Sequence, residues 1–380
     1  MEKCLSYSRP ISKYTRSVSL DDWYKSMDLY EAGDFAKSIV HLLRYINPPV
    51  EIPDAKKLNL TIPHGSVNVS VKMDSKNFSV SVPFLKFGPS SLKVPAMRQI
   101  IEGNFSSLTL AQTVLKDGEL WMEYGAPIED CEPYKIYAVL DEICREADSN
   151  DDYYIDRFKL EHINEIKAEK YGPKEREAAA KEFKAIIEEG LSYADYLEGK
   201  RYYDMGCDAL AITVFRLKYA IFPQGILGRD VQDVLQSMFE HNPPETIASK
   251  TKEKLKKLLN YDKAKFEESL YHPNFFMPIK PRAEIPRVKE QLDSGYQTLS
   301  KNMPEKAYMY CALYGMYELY YLWDVYTVPP EILKGLEKTL SGAAGRDWKA
   351  AAEAVYGFMS KIMELEIDGD GKLIKGSLKF

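Results

Sequence analysis

The chain has 380 residues, 45% of them hydrophobic and 28% charged, with a formal net charge of −6. That length suits two or three domains and supplies apolar material for a sizeable core, which excludes a disordered chain and a disulfide-stapled miniature. The acidic balance speaks against a nucleic-acid binder, and the lysine-rich stretch 250–257 is interleaved with apolar residues at helical spacing, as on a solvated helix face.

Residues 1–19 carry no continuous apolar run of the kind that forms a secretory signal, and no stretch of about 18 uninterrupted apolar residues occurs. The nearest, 307–328, holds Glu318, Asp324 and many tyrosines. Cys4, Cys131, Cys144, Cys207 and Cys311 are odd in number, dispersed and without a CxxC pair. That usage fits reduced thiols. A cytoplasmic protein without a membrane-spanning helix is the expectation.

In chain order, Trp23, Met27 and Tyr30 recur at helical spacing, Gly33 interrupts, and Phe35, Ile39, Leu42, Leu43 and Ile46 resume it. Asp34 is placed to cap the second helix and Pro48 and Pro49 to stop it. Residues 58–87 change period: Val67, Val69, Val71 and Met73 alternate with Asn68, Ser70 and Lys72, and Phe78, Val80 and Val82 continue after a turn at 74–77. This predicts a β-meander with one buried face. A proline opens a short helix over 95–103. Asp117-Gly118 joins strands over 108–115 and 120–124 into a hairpin. A longer helix follows, with Tyr134, Tyr137, Leu140, Asp141 and Cys144 at helical spacing.

The order helix, three strands, helix, two strands, helix predicts an α+β fold, an antiparallel sheet packed on helices and followed by a mostly α-helical C-terminal module. Beyond residue 151 the spacing predicts helices over 155–170, 174–198, 208–222 and 229–239, two or three more between 288 and 365, and a terminal hairpin turned at 368–371. The prolines of 272–287 read as a linker or extended arm. The expected organisation is a helical hairpin (1–57), an α/β sandwich module (58–150), a helical region (151–272), a proline-rich linker (273–287) and C-terminal helices with a terminal hairpin (288–380).

The hairpin LTLAQTVLKDGELWMEYGAPIED has a large aromatic after its turn, and CEPYKIYAVLDEICREAD gives an acidic entry to the next helix. With the element order, residues 21–150 resemble the type III secretion chaperone-like fold, including the YbjN-type proteins. The resemblance implies a partner-binding, often dimeric and non-enzymatic role; the long helical C-terminal part departs from it. Separately, LYEAGDFAKSIVHLLRYINP is similar to one tetratricopeptide unit, with Tyr30, Gly33, Phe35, Ala36 and Pro48 in place. No clean second copy accompanies it, and a single unit makes no solenoid, so these helices are expected to pack on the sheet.

Asp148, Asn150, Asp152 and Asp156 stand at oxygen positions of a calcium loop, but Tyr153 replaces its glycine and Lys159 its closing glutamate. An acidic helix cap and inter-domain turn is expected there instead. His162 and Glu165, three apart on an expected helix, lack further ligands and read as a surface pair. Cys207 reads as packing. No GxSxG, HExxH, P-loop or GxGxxG stands in a supporting context, so no catalytic residue, metal or cofactor is expected.

The most unusual segment is 307–328. Tyr310, Tyr314, Tyr317 and Tyr321 form one stripe, and Met309, Leu313, Met316, Tyr320 and Trp323 its neighbour. A helix apolar nearly all round is usually buried, yet tyrosine also supplies contact area for a partner. Trp121 and the four tyrosines of the stripe are therefore the partner-binding candidates. The expectation is a non-enzymatic protein-binding protein, chaperone-like or adaptor, with an unidentified protein partner and a homodimer implied by the resemblance alone. The alternatives are a small-ligand sensor or enzyme with a pocket between the modules, where Trp121 and the tyrosines converge, and a structural subunit of a larger assembly.

Overall fold

The computed structural model describes every residue except 1, 2, 13–19, 53, 55, 165–167, 368–372 and 376–380, and only the backbone of 367 and 373–375. The chain is α+β and divides into a sheet unit, Tyr14–Lys170 with Tyr271–Ile279, and a helical unit, Met1–Lys13 with Tyr171–Leu270 and Lys280–Phe380.

The sheet unit opens with α1 (Leu20–Glu31) and α2 (Phe35–Ile46). Gly33 takes φ +78° between them, and Asp34 accepts from the Lys37 N–H to cap α2. Three strands follow, β1 (Leu58–His64), β2 (Val67–Met73) and β3 (Asn77–Phe87), then α3 (Lys93–Gly103), β4 (Gln112–Lys116), β5 (Glu119–Pro127), α4 (Pro133–Phe158) and β6 (Leu160–His162). The sheet is antiparallel in the order β1-β2-β3-β5-β4, and β6 adds to the far end of β3. Alternation turns Val69, Val71, Val80, Val82, Leu120 and Met122 inward, into one core with Ile39, Leu43, Ile136, Leu140 and Ile143 of α2 and α4. The hairpin turn puts Asp117 at φ 51° and Gly118 at φ +86°, the conformation an Asp-Gly pair favours.

Two expectations fail at the end of this unit. Residues 148–156 form no turn: α4 runs through them to Phe158, because Ala147, Asp151, Tyr154 and Phe158 keep its inner face buried. Of the helix expected over 155–170, only 155–158 are helical, as the end of α4, and the other described residues of the range are not. Lys159 adopts φ 57°, ψ 40° and ends α4, after which Leu160 pairs with Phe87 in β6. His162 therefore lies on a strand, and Glu165 lies outside the described residues. The proline-rich stretch, read as a linker or extended arm, begins non-helical and packs in part on the sheet unit. Strands β7 (Glu169–Lys170) and β8 (Tyr271–His272) pair, and Phe276 and Met277 are buried in the sheet unit's core.

The helical unit contains α5 (Pro173–Gly199), α6 (Tyr203–Ala220), α7 (Gly225–Ser237), α8 (Pro244–Leu259), α9 (Lys263–Glu268), α10 (Ile285–Asn302), α11 (Tyr308–Val325), α12 (Pro330–Ala343) and α13 (Trp348–Met363). Four helices thus occupy the range in which two or three were expected. The pair Pro329 and Pro330 starts α12, and Gly345 at φ +66° followed by the Asp347 cap separates α13 from it. Strands β9 (Glu366–Ile367) and β10 (Leu373–Lys375) pair antiparallel, and the expected turn at 368–371 lies outside the described residues. Helix α11 is central: Cys311, Leu313, Met316, Leu319, Tyr320 and Leu322 are fully buried, packed by α6, α10 and α13. The N-terminal segment is drawn into this core by Arg216, whose guanidinium donates to Glu189 at 2.5 Å, Ser6 Oγ at 2.8 Å and Ser8 Oγ at 3.2 Å.

Candidate functional site

Helices cover one face of the sheet; the other is open. Its cross-strand rows follow from the register. Thr61, Ser70, Ser81, Glu123 and Gln112 lie in one row, and Pro83, Trp121 and Val114 in another. Two shallow hollows occupy this face. One of about 640 Å³ is lined by Asn68, Ser70, Pro83, Trp121, Ile163 and Asn164, and one of about 580 Å³ by Lys72, Ser81, Gln112, Glu123 and Tyr124 among others. Pro83 explains the first. It stands where β2 stops pairing with β3 and before β6 begins, beside a register shift between Pro83 and Leu85. A residue without an N–H is tolerated there, and the gap leaves the Trp121 side chain half-exposed on the floor. Its indole Nε1 donates to Glu119 at 3.2 Å.

A second surface lies on α3. The buried side of this helix carries Ala96 and Ile100. Its outer side carries Val94, Ile101 and, just beyond its end, Phe105, which is 87% exposed. Leu92, Leu110 and Leu115 are exposed in the same stretch of chain. Asn104 ties the helix end to edge strand β4: its side-chain amide donates to Thr113 O at 3.0 Å and its oxygen accepts from Thr113 N at 2.7 Å. Leu115 sits two residues along the same face of that strand. Exposed apolar residues grouped on one helix face mark interaction surfaces, and the exposed Arg98 lies between Val94 and Ile101 on this one. Sequence reading found the helix and missed its second apolar face, although Val94, Ile101 and Phe105 are spaced i, i+7, i+11 and were legible as such.

In the helical unit the four candidate tyrosines form a ladder along α11. Neighbouring rings lie 5.7, 6.2 and 5.9 Å apart between centroids and are parallel within 18°. All four are half-buried, with Tyr317 and Tyr321 against Phe215 and Tyr321 also against Phe239. The four rings pack against the helical unit's core, whose fully buried members on α11 include Leu313, Met316 and Tyr320 of the adjoining stripe. Asp208 and Glu318 act on the ladder, and Glu318 is itself buried. Asp208 is pushed up to about 7 by burial, then by Asp204 and Glu318, and burial also raises Glu318, against a hydrogen bond from Tyr314. Trp121 belongs to the sheet unit and the tyrosines to the helical unit.

Other ionisable groups are structural. Asp148 is raised to about 6 by burial while its Oδ1 accepts from Ser66 N at 2.7 Å and Ser66 Oγ at 3.1 Å, fastening the β1–β2 turn to α4. Gly65 in that turn, at φ +53°, has no room for a Cβ because Asp148 would lie 1.8 Å from it. Asp151 is fully buried with one unbonded oxygen, and its carboxyl is raised strongly by burial. Burial lowers Lys280 to about 7, its ammonium lying 3.5 Å from the Trp323 ring centroid and donating to Trp323 O at 2.6 Å. Cys207 is half-buried and donates to Pro244 O at 3.4 Å. Among the described residues, no three His, Cys, Asp or Glu side chains are arranged to hold a metal ion, and no helix is long and apolar enough to cross a membrane.

Comparison with protein-family models, with curated proteins and with solved structures gives no match to this chain.

Proposed function

We propose that the chain is a non-enzymatic protein-binding protein, chaperone-like or adaptor, and that a partner docks on the sheet unit. The observation that carries this reading is the apolar stripe of α3, with Val94, Ile101 and Phe105 exposed at 65%, 51% and 87% beside edge strand β4. Leaving such side chains in water forgoes about 1.5–3 kcal/mol each relative to burial, so a partner that covers them gains that surface as binding energy. The open face around Trp121 is the polar counterpart, suited to fixing register through hydrogen bonds. The secretion chaperone-like reading of residues 21–150 is consistent with this, and the five free cysteines support a reducing compartment, the cytoplasm.

The test is affinity capture from extracts of the natural source, comparing the full chain with Ile101→Glu/Phe105→Glu and with Trp121→Ala. The reading expects at least one protein retained by the parent and lost from the α3 variant, with folding verified by circular dichroism. Identical retained sets for parent and variant would sink it. Sedimentation velocity on the same samples separates a foreign partner from a homodimer: self-association that disappears in the α3 variant assigns the stripe to a second copy.

A further inference from the structure

The open face of the sheet divides into an apolar row and a hydroxyl row. Register places Pro83 and Val114 directly across from Trp121, one on each side. With neighbouring strands about 4.8 Å apart, this apolar row spans about 10 Å. Two residues along the strands, about 7 Å away, Thr61, Ser70 and Ser81 stand side by side. Asn68, on the part of β2 that no longer pairs with β3, and Asn164, just after β6, add two amides to the same hollow of about 640 Å³. Among the described residues, the side chains of Thr61, Asn68, Ser70, Ser81 and Asn164 make no hydrogen bond within the chain. The carboxylates of the face are engaged: Glu123 pairs with Lys116 at 2.5 Å, and Glu119 accepts from the Trp121 indole at 3.2 Å. Among the described residues lining the hollow, Lys72 alone is charged. The second hollow shares Lys72 and Ser81 with the first, so the site continues toward Gln112 on the edge strand.

We propose that this face binds a neutral oligosaccharide, with one pyranose ring laid on Trp121 and Pro83 and its hydroxyls met by Ser70, Ser81, Asn68 and Asn164. Three features select this ligand. A pyranose has an apolar face of C–H bonds and a polar rim, the same division that the two rows make. Its hydroxyls both donate and accept, and so do the side chains of serine, threonine and asparagine, so each contact can be satisfied in either direction. A phosphate-bearing ligand would call for several cations, and the hollow holds one. The residues come from separate strands of one sheet, which fixes their spacing before a ligand arrives. The hollow includes none of Val94, Ile101 and Phe105, so protein capture through α3 and sugar binding through Trp121 succeed or fail separately.

The experiment is saturation-transfer difference NMR of cellotriose and of maltotriose with the full-length chain. Saturable binding of at least one is expected, with the strongest transfer to the C–H protons of a single ring face. Trp121→Ala should weaken it about tenfold, whereas Trp121→Tyr, which keeps an aromatic surface, should hold it within about threefold. Ser70→Ala/Ser81→Ala removes two hydroxyls from the face and should weaken binding about tenfold. Circular dichroism verifies folding of each variant, and retained binding by Trp121→Tyr separates loss of the ring from misfolding. Absence of saturable binding of both sugars overturns the proposal. So does binding that Trp121→Ala leaves unchanged, which would seat the sugar elsewhere, or binding indifferent to Ser70→Ala/Ser81→Ala, which would mean a ring without its polar row. Adenosine bound more tightly than either sugar and lost in Trp121→Ala would reassign the face to a nucleobase and overturn it as well.

Discussion

Replacing Asp208 by asparagine should stabilise the protein, and more so as pH rises. The Asp208 carboxyl stands at about 7 in the folded chain against its ordinary 3.8, first because it is buried and then because Asp204 and Glu318 lie close. The folded state therefore holds the proton more tightly than the unfolded state. Its stability contribution is fully present below about pH 4 and is lost as pH rises through 7. The difference sets a ceiling of about 4 kcal/mol above that window. Because the side chain is only half-buried and keeps some solvent, about 2 kcal/mol is the working expectation. Asparagine keeps the shape without the charge. Urea unfolding of parent and Asp208→Asn, at about pH 5 and about pH 8, should show the variant's advantage growing by about 1–2 kcal/mol between the two. An advantage that is constant across that range, or that shrinks, would refute the assignment of an unneutralised carboxyl to this position.

Two further outcomes test the packing. Gly315→Ala places a Cβ 2.4 Å from Val355 Cγ1 and 3.0 Å from Leu299 Cδ2 in the middle of α11. The overpacking outweighs the gain in helix propensity, so thermal unfolding should report a loss of about 1–3 kcal/mol. Asn104→Ala leaves Thr113 without partners for its outward N–H and C=O; it should cost about 1 kcal/mol, and light scattering should show self-association that grows with concentration.

Elements with a strong local signal were legible before the structure. The alternation of β2 and β3, the Asp-Gly turn and the Asp34 cap each point one way, and the α+β class follows from their order. What failed lacked a local signal. Asp148, Asn150, Asp152 and Asp156 read as an acidic cap and turn, yet tertiary burial of Tyr154 and Phe158 carries α4 through them; propensity was overridden by packing. Residues 160–162 are too short to show a period, and they become a strand only because β3 has an unpaired end. For the candidate residues, the tyrosine stripe and Glu318 within it were visible as spacing, but Asp204 and Asp208 come from α6, about a hundred residues away in sequence, and no periodicity joins them.

Both edges of the sheet bear on how a partner attaches. Addition of a strand needs a row of free N–H and C=O groups. On β4 the outward groups of Thr113 are already bonded to Asn104, a side chain standing in for the missing strand. On the opposite edge, β1 contains Pro63, which has no N–H to give, and the N–H of Gly65 just past it donates to Asn274 O at 2.9 Å. Each edge is thus interrupted near its middle or end, leaving too short a run for a regular ladder. The apolar residues left in water lie instead on α3 and beside β4, where side chains rather than backbone face outward. A partner that recognises this unit is therefore expected to do so by laying an apolar helix or loop against α3, and the Ile101→Glu/Phe105→Glu variant should abolish its capture while Asn104→Ala leaves it intact.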